Sequence, residues 1–421
     1  MAEVQATPTR AAGSGYPVYV VALLCAVLAL SYIDRLTLSV LVQPIKHDLK
    51  LSDTQMGVLG GLAFALFYAA FGLPLARWVD RGSRVRLLSL SVVFWSVAAA
   101  ASGLAQNFAQ LFIARMGTGA GESSCVPAGH SLIAAYVSRE RRPFALGMFH
   151  AGASLGVIAG TALAGLAAAA YGWRLAFALL GLPGLLVALL VSATIREPAR
   201  PPLEGPARAL WATLLALARR PTFVHVTLAY AAINFGVAAL TFWFPAFYQR
   251  VHGLTLANVG LAVGLTKGVG GALGMGLGGL LAAPLLLRDP RWAVWYPALG
   301  MAACVPLYVA ALTVSSADLS LALLFAASVV ATIGNATGLA VVHTVTTPQD
   351  RGQAVAVVVL FAATLGQSLG PFVVGLLSDV AGSHSGESSL RLGLLTAIIG
   401  FALAMGHFFA AARTLARDTV D

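Results

Sequence analysis

Gly152-Ala-Ser-Leu-Gly156 decides the fold, because the chain carries it a second time as Gly366-Gln-Ser-Leu-Gly370. Just upstream of each copy, Arg142-Pro-Phe-Ala145 is echoed by Arg351-Gly-Gln-Ala354. Both pairs stand roughly 210 residues apart, half the chain, as internal repeats of a duplicated unit do. Each copy lies in a long apolar run, where glycines four residues apart let helix backbones approach closely. The motif formally fits the G-x-S-x-G nucleophile elbow of hydrolases. No strand precedes it, however, and its echo marks it as helix packing.

The composition around these copies is far from that of a soluble domain. The 421 residues are 59% hydrophobic and 10% charged, against about 25% charged in an ordinary globular chain, and the mean hydropathy is +0.85. These values exclude disordered, fibrous and disulfide-scaffold classes and argue against a soluble enzyme. The apolar runs reach the roughly 20 residues that a membrane-crossing helix needs. They predict spans over 17–43, 54–76, 86–105, 108–135, 143–170 and 174–195, then 222–249, 256–284, 292–314, 318–346, 353–379 and 390–412. Between the sets, Arg196 to Pro221 is rich in proline and arginine and reads as a linker. The expected fold is an all-α membrane protein with twelve transmembrane helices in two six-helix bundles. Its parts are a tail (1–16), an N-terminal bundle (17–195), a linker (196–221), a C-terminal bundle (222–412) and a second tail (413–421).

The formal charge of +10 does not point to nucleic acid, because the basic residues fall in short clusters between apolar runs. Eighteen of the 26 lysines and arginines collect on one side of the predicted spans, five on the other, and three lie within spans. That asymmetry predicts cytoplasmic termini and linker; the membrane itself is expected to be a bacterial inner (plasma) membrane. The tail before the first span has one arginine and no small-residue cleavage site, so a removed signal peptide is not expected. Cys25, Cys125 and Cys304 lack CxxC spacing and predict neither disulfide nor zinc site. The glycine runs at 117–121 and 268–279 lack the strand–loop–helix setting of a nucleotide site. No metal, no cofactor and no ATP-driven step is expected.

Chemistry concentrates where charge interrupts the apolar runs. Asp34-Arg35 stands in the first span, and Arg115 and Glu122 lie two turns apart on the fourth. Charges at this depth normally face a cavity or a partner, and a static ion-pair set that fixes helix register is the competing reading. Lys267 in the eighth span either neutralises an anionic headgroup or snorkels to the interface. Asn234, Asn335, His343 and Gln367 either line a cavity or join helices, and His130 and His150 either relay protons or pack. Phe64, Phe67, Tyr68, Phe149, Phe235, Phe242, Trp243 and Phe361 are candidate apolar walls. The loop Gly72-Leu-Pro-Leu-Ala-Arg-Trp-Val-Asp80-Arg81-Gly82-Ser83-Arg84 reads either as a latch at the cytoplasmic mouth or as an ordinary basic loop. Its counterpart at Arg288-Asp289-Pro-Arg291 is degenerate.

The latch loop and Arg115-Met-Gly-Thr-Gly-Ala-Gly-Glu122 resemble motifs of the major facilitator superfamily. More specifically, the first 200 residues resemble its spinster-like branch, through Tyr32-Ile-Asp-Arg35, Leu51-Ser-Asp-Thr-Gln-Met-Gly57, Ala63-Phe-Ala-Leu-Phe-Tyr68, Asp80-Arg-Gly-Ser-Arg84, Gly119-Ala-Gly-Glu122, Pro127-Ala-Gly-His-Ser131 and Tyr171-Gly-Trp-Arg174. The resemblance implies a non-enzymatic, proton-coupled carrier of lysophospholipids or sphingosine phosphate, with Asp34, Arg35, Arg115 and Glu122 as its functional polar groups. The expected mechanism is alternating access. Asp34 and Glu122 would couple protons; Arg35, Arg115, Phe64, Tyr68, His150, Asn234, Trp243 and Lys267 would bind substrate; and Asp80, Arg81 and Arg84 would gate the cytoplasmic side. A monomer in the lipid bilayer is expected. A proton-coupled drug or small organic-anion transporter is the alternative. Outside transport, a lipid receptor or an intramembrane lipid-modifying enzyme remains open, although no nucleophile with its base is found.

Overall fold

The computed structural model of the chain describes residues 15–199, 210–347, 350–385 and 389–420, with the side chains of residues 73, 80, 210–213 and 383–385 outside that description. Every regular element among the described residues is helical, and ten segments are long and apolar enough to cross a membrane. Two local features turn ten into twelve. Arg142–Thr194 runs for 53 residues, about 80 Å as a single rod against a hydrocarbon core of about 30 Å. It turns back at Gly172, whose φ of 79° and ψ of 163° suit a residue without Cβ, and so supplies the fifth and sixth spans. The fourth span, expected to be continuous, is divided into Phe108–Glu122 and Cys125–Tyr136. Pro127 explains the division: it has no N–H to donate, and its ring crowds the carbonyl of Ser123, four residues back. The tenth span divides at the matching place, between Ala317–Thr332 and Asn335–Thr344.

The repeated glycine motif performs one task in both halves. A Cβ on Gly152 or Gly156 would lie 2.3 Å from the Cys25 carbonyl oxygen or 2.4 Å from that of Ala29, so the fifth span rests directly on the first span, Tyr16–Val40. A Cβ on Gly366 would lie 2.6 Å from the Asn234 Cβ, and one on Gly370 would lie 2.3 Å from the Phe235 carbonyl oxygen. The eleventh span therefore rests in the same way on the seventh, Pro221–His252. Without a hydrophobic drive between helices in lipid, such backbone proximity is a principal source of packing energy. The halves meet where the fifth span crosses the eighth, Leu256–Leu286, and where the second span crosses the eleventh.

Within the linker stretch, Leu210–Ala218 forms a helix, as its run of leucine and alanine favours; 200–209 lie outside the described residues. The last turn of the sixth span is tied down on the arginine-rich side. The Tyr16 hydroxyl donates to the Thr194 carbonyl at 2.9 Å and accepts from the Arg196 amide at 2.9 Å.

Gly156→Leu and Gly370→Leu are each expected to destabilise the protein by about 1–3 kcal/mol through overpacking. Gly147→Leu is the control, because nothing lies within 4 Å of a Cβ built there. Thermal unfolding in detergent, followed by tryptophan fluorescence, checks this; equal melting of all three variants contradicts it.

Candidate functional site

A cavity of about 280 Å³ lies between the bundles. From the first half it is lined by Ser31, Tyr32, Arg35, Tyr68 and His150. Ser31 and Arg35 are one helical turn apart and so share a face. Both reach the same acceptor: Glu122 Oε2 takes a hydrogen bond from Ser31 Oγ at 2.5 Å and from Arg35 Nε at 2.6 Å. Glu122 is wholly buried at the end of its half-helix, whereas the Arg35 side chain keeps 20% of its surface exposed. Three rings surround the Arg35 guanidinium, with centroids 4.6 Å (Phe64), 5.1 Å (Tyr68) and 5.3 Å (Tyr32) away, a cation–π arrangement that favours the charged group.

A second layer lies behind this wall. The Arg115 guanidinium shares the Phe64 ring at 5.3 Å, and its Nε and Nη1 have no hydrogen-bond partner, nor has Glu122 Oε1. Asp34 is buried within electrostatic reach of Glu122, Arg115 and Arg35. Two acids and two arginines thus form a formally neutral cluster, with Arg35 as its contact with the cavity. Phe64 joins the arrangement through the arginines rather than as a lining residue.

The second half faces the cavity with uncharged groups, among them Tyr230, Asn234 and Gln367. Gln367 closes a π-helical stretch, Ala362–Gln367, in the eleventh span; such stretches are frequent at functional sites. Asn234 Nδ2 donates to the Tyr230 carbonyl at 2.8 Å, and Gln367 Nε2 donates to Asn234 Oδ1 at 3.4 Å. Two expected binding residues stand apart from the lining. Lys267 Nζ sits 5.5 Å from the centre of the Phe244 ring. Trp243 is fully buried and donates Nε1–H to the Pro371 carbonyl at 2.8 Å.

At the arginine-poor end the halves are clasped by residues that sequence reasoning did not single out as a site. Asp53 accepts two hydrogen bonds of 2.6 Å from Arg250, one of 2.5 Å from Lys46 and one of 2.7 Å from Ser378. Asp379, from the eleventh span, accepts from the amides of Asp53 and Thr54 at 3.0 and 2.7 Å and from Thr54 Oγ1 at 2.6 Å. A carboxylate of one half thus caps the helix Asp53–Gly60 of the other, beside that helix's own Ser52–Gln55 capping box. The box was a visible signal of a helix start; the partners across the halves were not.

In the proposed latch loop, Arg84 turns inward within its own bundle. Its Nε pairs with Glu197 Oε1 at 3.0 Å and its Nη2 donates to the Pro198 carbonyl at 2.8 Å. Arg81 is exposed. Burial works against the Glu197 carboxylate, but the Val85 amide, the Ser83 hydroxyl and Arg84 outweigh it and hold its pKa below the ordinary glutamate value.

Paired six-helix bundles that repeat one plan around a polar cavity at membrane depth define a multi-pass membrane transporter. The chain belongs to the Major Facilitator Superfamily, whose sequence profile matches residues 24–371. It is 34% identical over 407 residues to an MFS-type efflux pump of Mycolicibacterium smegmatis, covering 95% of this chain and 94% of the relative. It is 27% identical over 394 residues to human protein spinster homolog 1, covering 87% and 74%. Among solved structures it matches a bacterial homologue of the human lysosomal transporter spinster, captured inward-facing and unoccupied, with a TM-score of 0.87, 27% identity and coverage of 97% and 99%. The spinster-like resemblance therefore extends through both halves.

Two outcomes are expected from this geometry. Because the folded Glu197 has the lower pKa, its contribution is complete above the unfolded value of about 4.3 and is lost as pH falls through the folded value. Glu197→Gln should therefore melt below wild type at pH 7, with the gap shrinking in acid; a gap independent of pH contradicts this. Arg250→Ala should loosen the clasp. In a background without Cys25, Cys125 and Cys304, a cysteine at the buried Ser39 position should then react faster with an impermeant maleimide applied from the arginine-poor side. Unchanged labelling contradicts the clasp.

Proposed function

We propose that the protein is a proton-coupled secondary transporter that moves an anionic amphiphile, of the lysophospholipid or sphingosine-phosphate type, by alternating access. Arg35 carries this reading: it is a cation in the cavity wall whose counter-charge, Glu122, is buried on the far side. An anionic headgroup entering the cavity competes with Glu122 for one guanidinium. Leaving Glu122 ionised and unpaired at that depth is costly, so a proton on Glu122 frees Arg35 for the headgroup. Proton and substrate are thereby linked, each altering the affinity for the other. Asp34 is the second carboxylate of the same cluster, and Arg115 the reserve cation. Leu28, Val126, Leu339 and Val358 offer the tail an apolar lining.

In this reading the clasped state is open toward the arginine-rich side, taken as the cytoplasmic face of a bacterial inner membrane because basic residues favour that face. The reverse state needs the clasp to part and the other mouth to close, and in this reading the loop that carries Asp80, Arg81 and Arg84 would gate that mouth. The M. smegmatis efflux relative and a hexuronate transporter of Bacillus subtilis, 26% identical over 379 residues, favour a second reading as a proton-coupled transporter of drugs or small organic anions. Once a proton on Glu122 has freed Arg35, the unbalanced guanidinium disfavours cationic drugs.

Proteoliposomes with an imposed pH gradient test the proposal, using a fluorescent lysophospholipid, ethidium and glucuronate as substrates. Wild type should move the lysophospholipid fastest. Arg35→Ala should lose at least about tenfold in flux, equivalent to about 1.4 kcal/mol, and Glu122→Gln should lose the response to the gradient. Undiminished gradient-driven flux in both variants overturns the proposal, and glucuronate or ethidium as the preferred substrate replaces the cargo.

A further inference from the structure

One cluster of ligating side chains is not used by this mechanism. His130, on the half-helix Cys125–Tyr136, and His150, on the fifth span, point their Nε2 atoms at each other across 3.0 Å. Their ring centroids are 5.1 Å apart, with planes at 81°. Both side chains are exposed, and His150 lines the cavity. The fully buried Phe149 packs edge-on against each ring, 5.6 Å from His130 and 5.1 Å from His150, and holds them in place. We propose that His130 and His150 form a two-histidine chelate for a divalent transition-metal cation such as zinc, opening into the transport cavity.

The geometry is that of a site nearly assembled. Zinc binds imidazole nitrogen at about 2.0–2.1 Å in tetrahedral geometry, which places two ligand nitrogens about 3.3 Å apart. The rings need to part by a few tenths of an ångström and to tilt so that both Nε2 lone pairs converge on one point beside the line that now joins them, and Nε2 is the unhindered nitrogen at the ring tip. Both rings must be neutral and offer Nε2 as the free lone pair, so the ring that donates Nε2–H to the other must shift that proton to its own Nδ1 when the metal binds. Among the described residues no group of three histidine, cysteine or acidic side chains is placed to hold a metal. The chelate therefore keeps open positions for water or for an anionic group of the cavity's ligand, and binds more weakly than a closed structural site. Arg35 shares the cavity, but its charge is matched by Glu122, so the cation does not meet an unbalanced positive wall. The other histidine pair, His225 and His407, meets through Nδ1 atoms 3.1 Å apart. There each ring's own Cβ crowds the approach, so one zinc per chain is expected.

Calorimetric titration of zinc chloride into the full-length protein in detergent tests this. Wild type and His225→Gln should bind one equivalent; His130→Gln and His150→Gln should each weaken binding at least about tenfold. Equal affinity in all four overturns the proposal, as does loss of binding only in His225→Gln. A measurement on wild type alone guards against variants that fail to fold. Zinc should protect His130 and His150, and not His225 or His407, from diethylpyrocarbonate, as mapped by peptide mass spectrometry. Equal modification with and without zinc also overturns it.

Discussion

Glu122 has no contact with solvent, and the charge bonded to it, Arg35, reaches into the cavity. A carboxylate sealed at membrane depth is tolerated only while a cation or a proton accompanies it. Several local features follow from that requirement. Ser31 lies one turn before Arg35 and supplies a second donor to the same oxygen. The Phe64 ring centre lies 4.6 Å from the Arg35 guanidinium and 5.3 Å from that of Arg115, so one aromatic ring attracts both. The unpartnered Arg115 nitrogens and Glu122 oxygen leave the cluster less than fully satisfied.

The scaffold is written twice, and the charge once. Carrying the repeat forward by the offset that aligns the two divided spans sets Arg115 opposite Phe325 and Glu122 opposite Thr332. The second bundle thus keeps the shape without the ionised groups and offers amides to the cavity instead. Charge returns where the bundles meet at the arginine-poor end, in a clasp that needs both halves: Asp53 is held by Arg250 and Ser378, and Asp379 caps the helix that begins at Asp53.

Much of this was legible beforehand because lipid is a demanding solvent. Apolar runs of spanning length, loop clusters of arginine and the echo of Gly152-Ala-Ser-Leu-Gly156 reveal the bundles, since each reports on a local requirement. Asp34, Arg35, Arg115 and Glu122 stand out because nothing else charged interrupts their spans. The clasp is hidden for the opposite reason: Asp53 and Arg250 lie 197 residues apart, and each alone resembles a charge at the mouth of a helix. Trp243 looks like a cavity wall by composition, yet it is buried where the seventh span packs on the eleventh, with its indole bonded to the Pro371 carbonyl. The division of the fourth span was readable in principle, because Pro127 lies four residues beyond Ser123.

That division has a mechanical side. A helix resists bending through its ladder of backbone hydrogen bonds, and where rungs are missing the resistance falls. Both bundles lack rungs at the same height, after Glu122 in one and after Thr332 in the other. Each is therefore an articulated column rather than a stiff one, and in the first bundle the elbow directly follows Glu122, so a displacement at the elbow can be taken up there without disturbing either end.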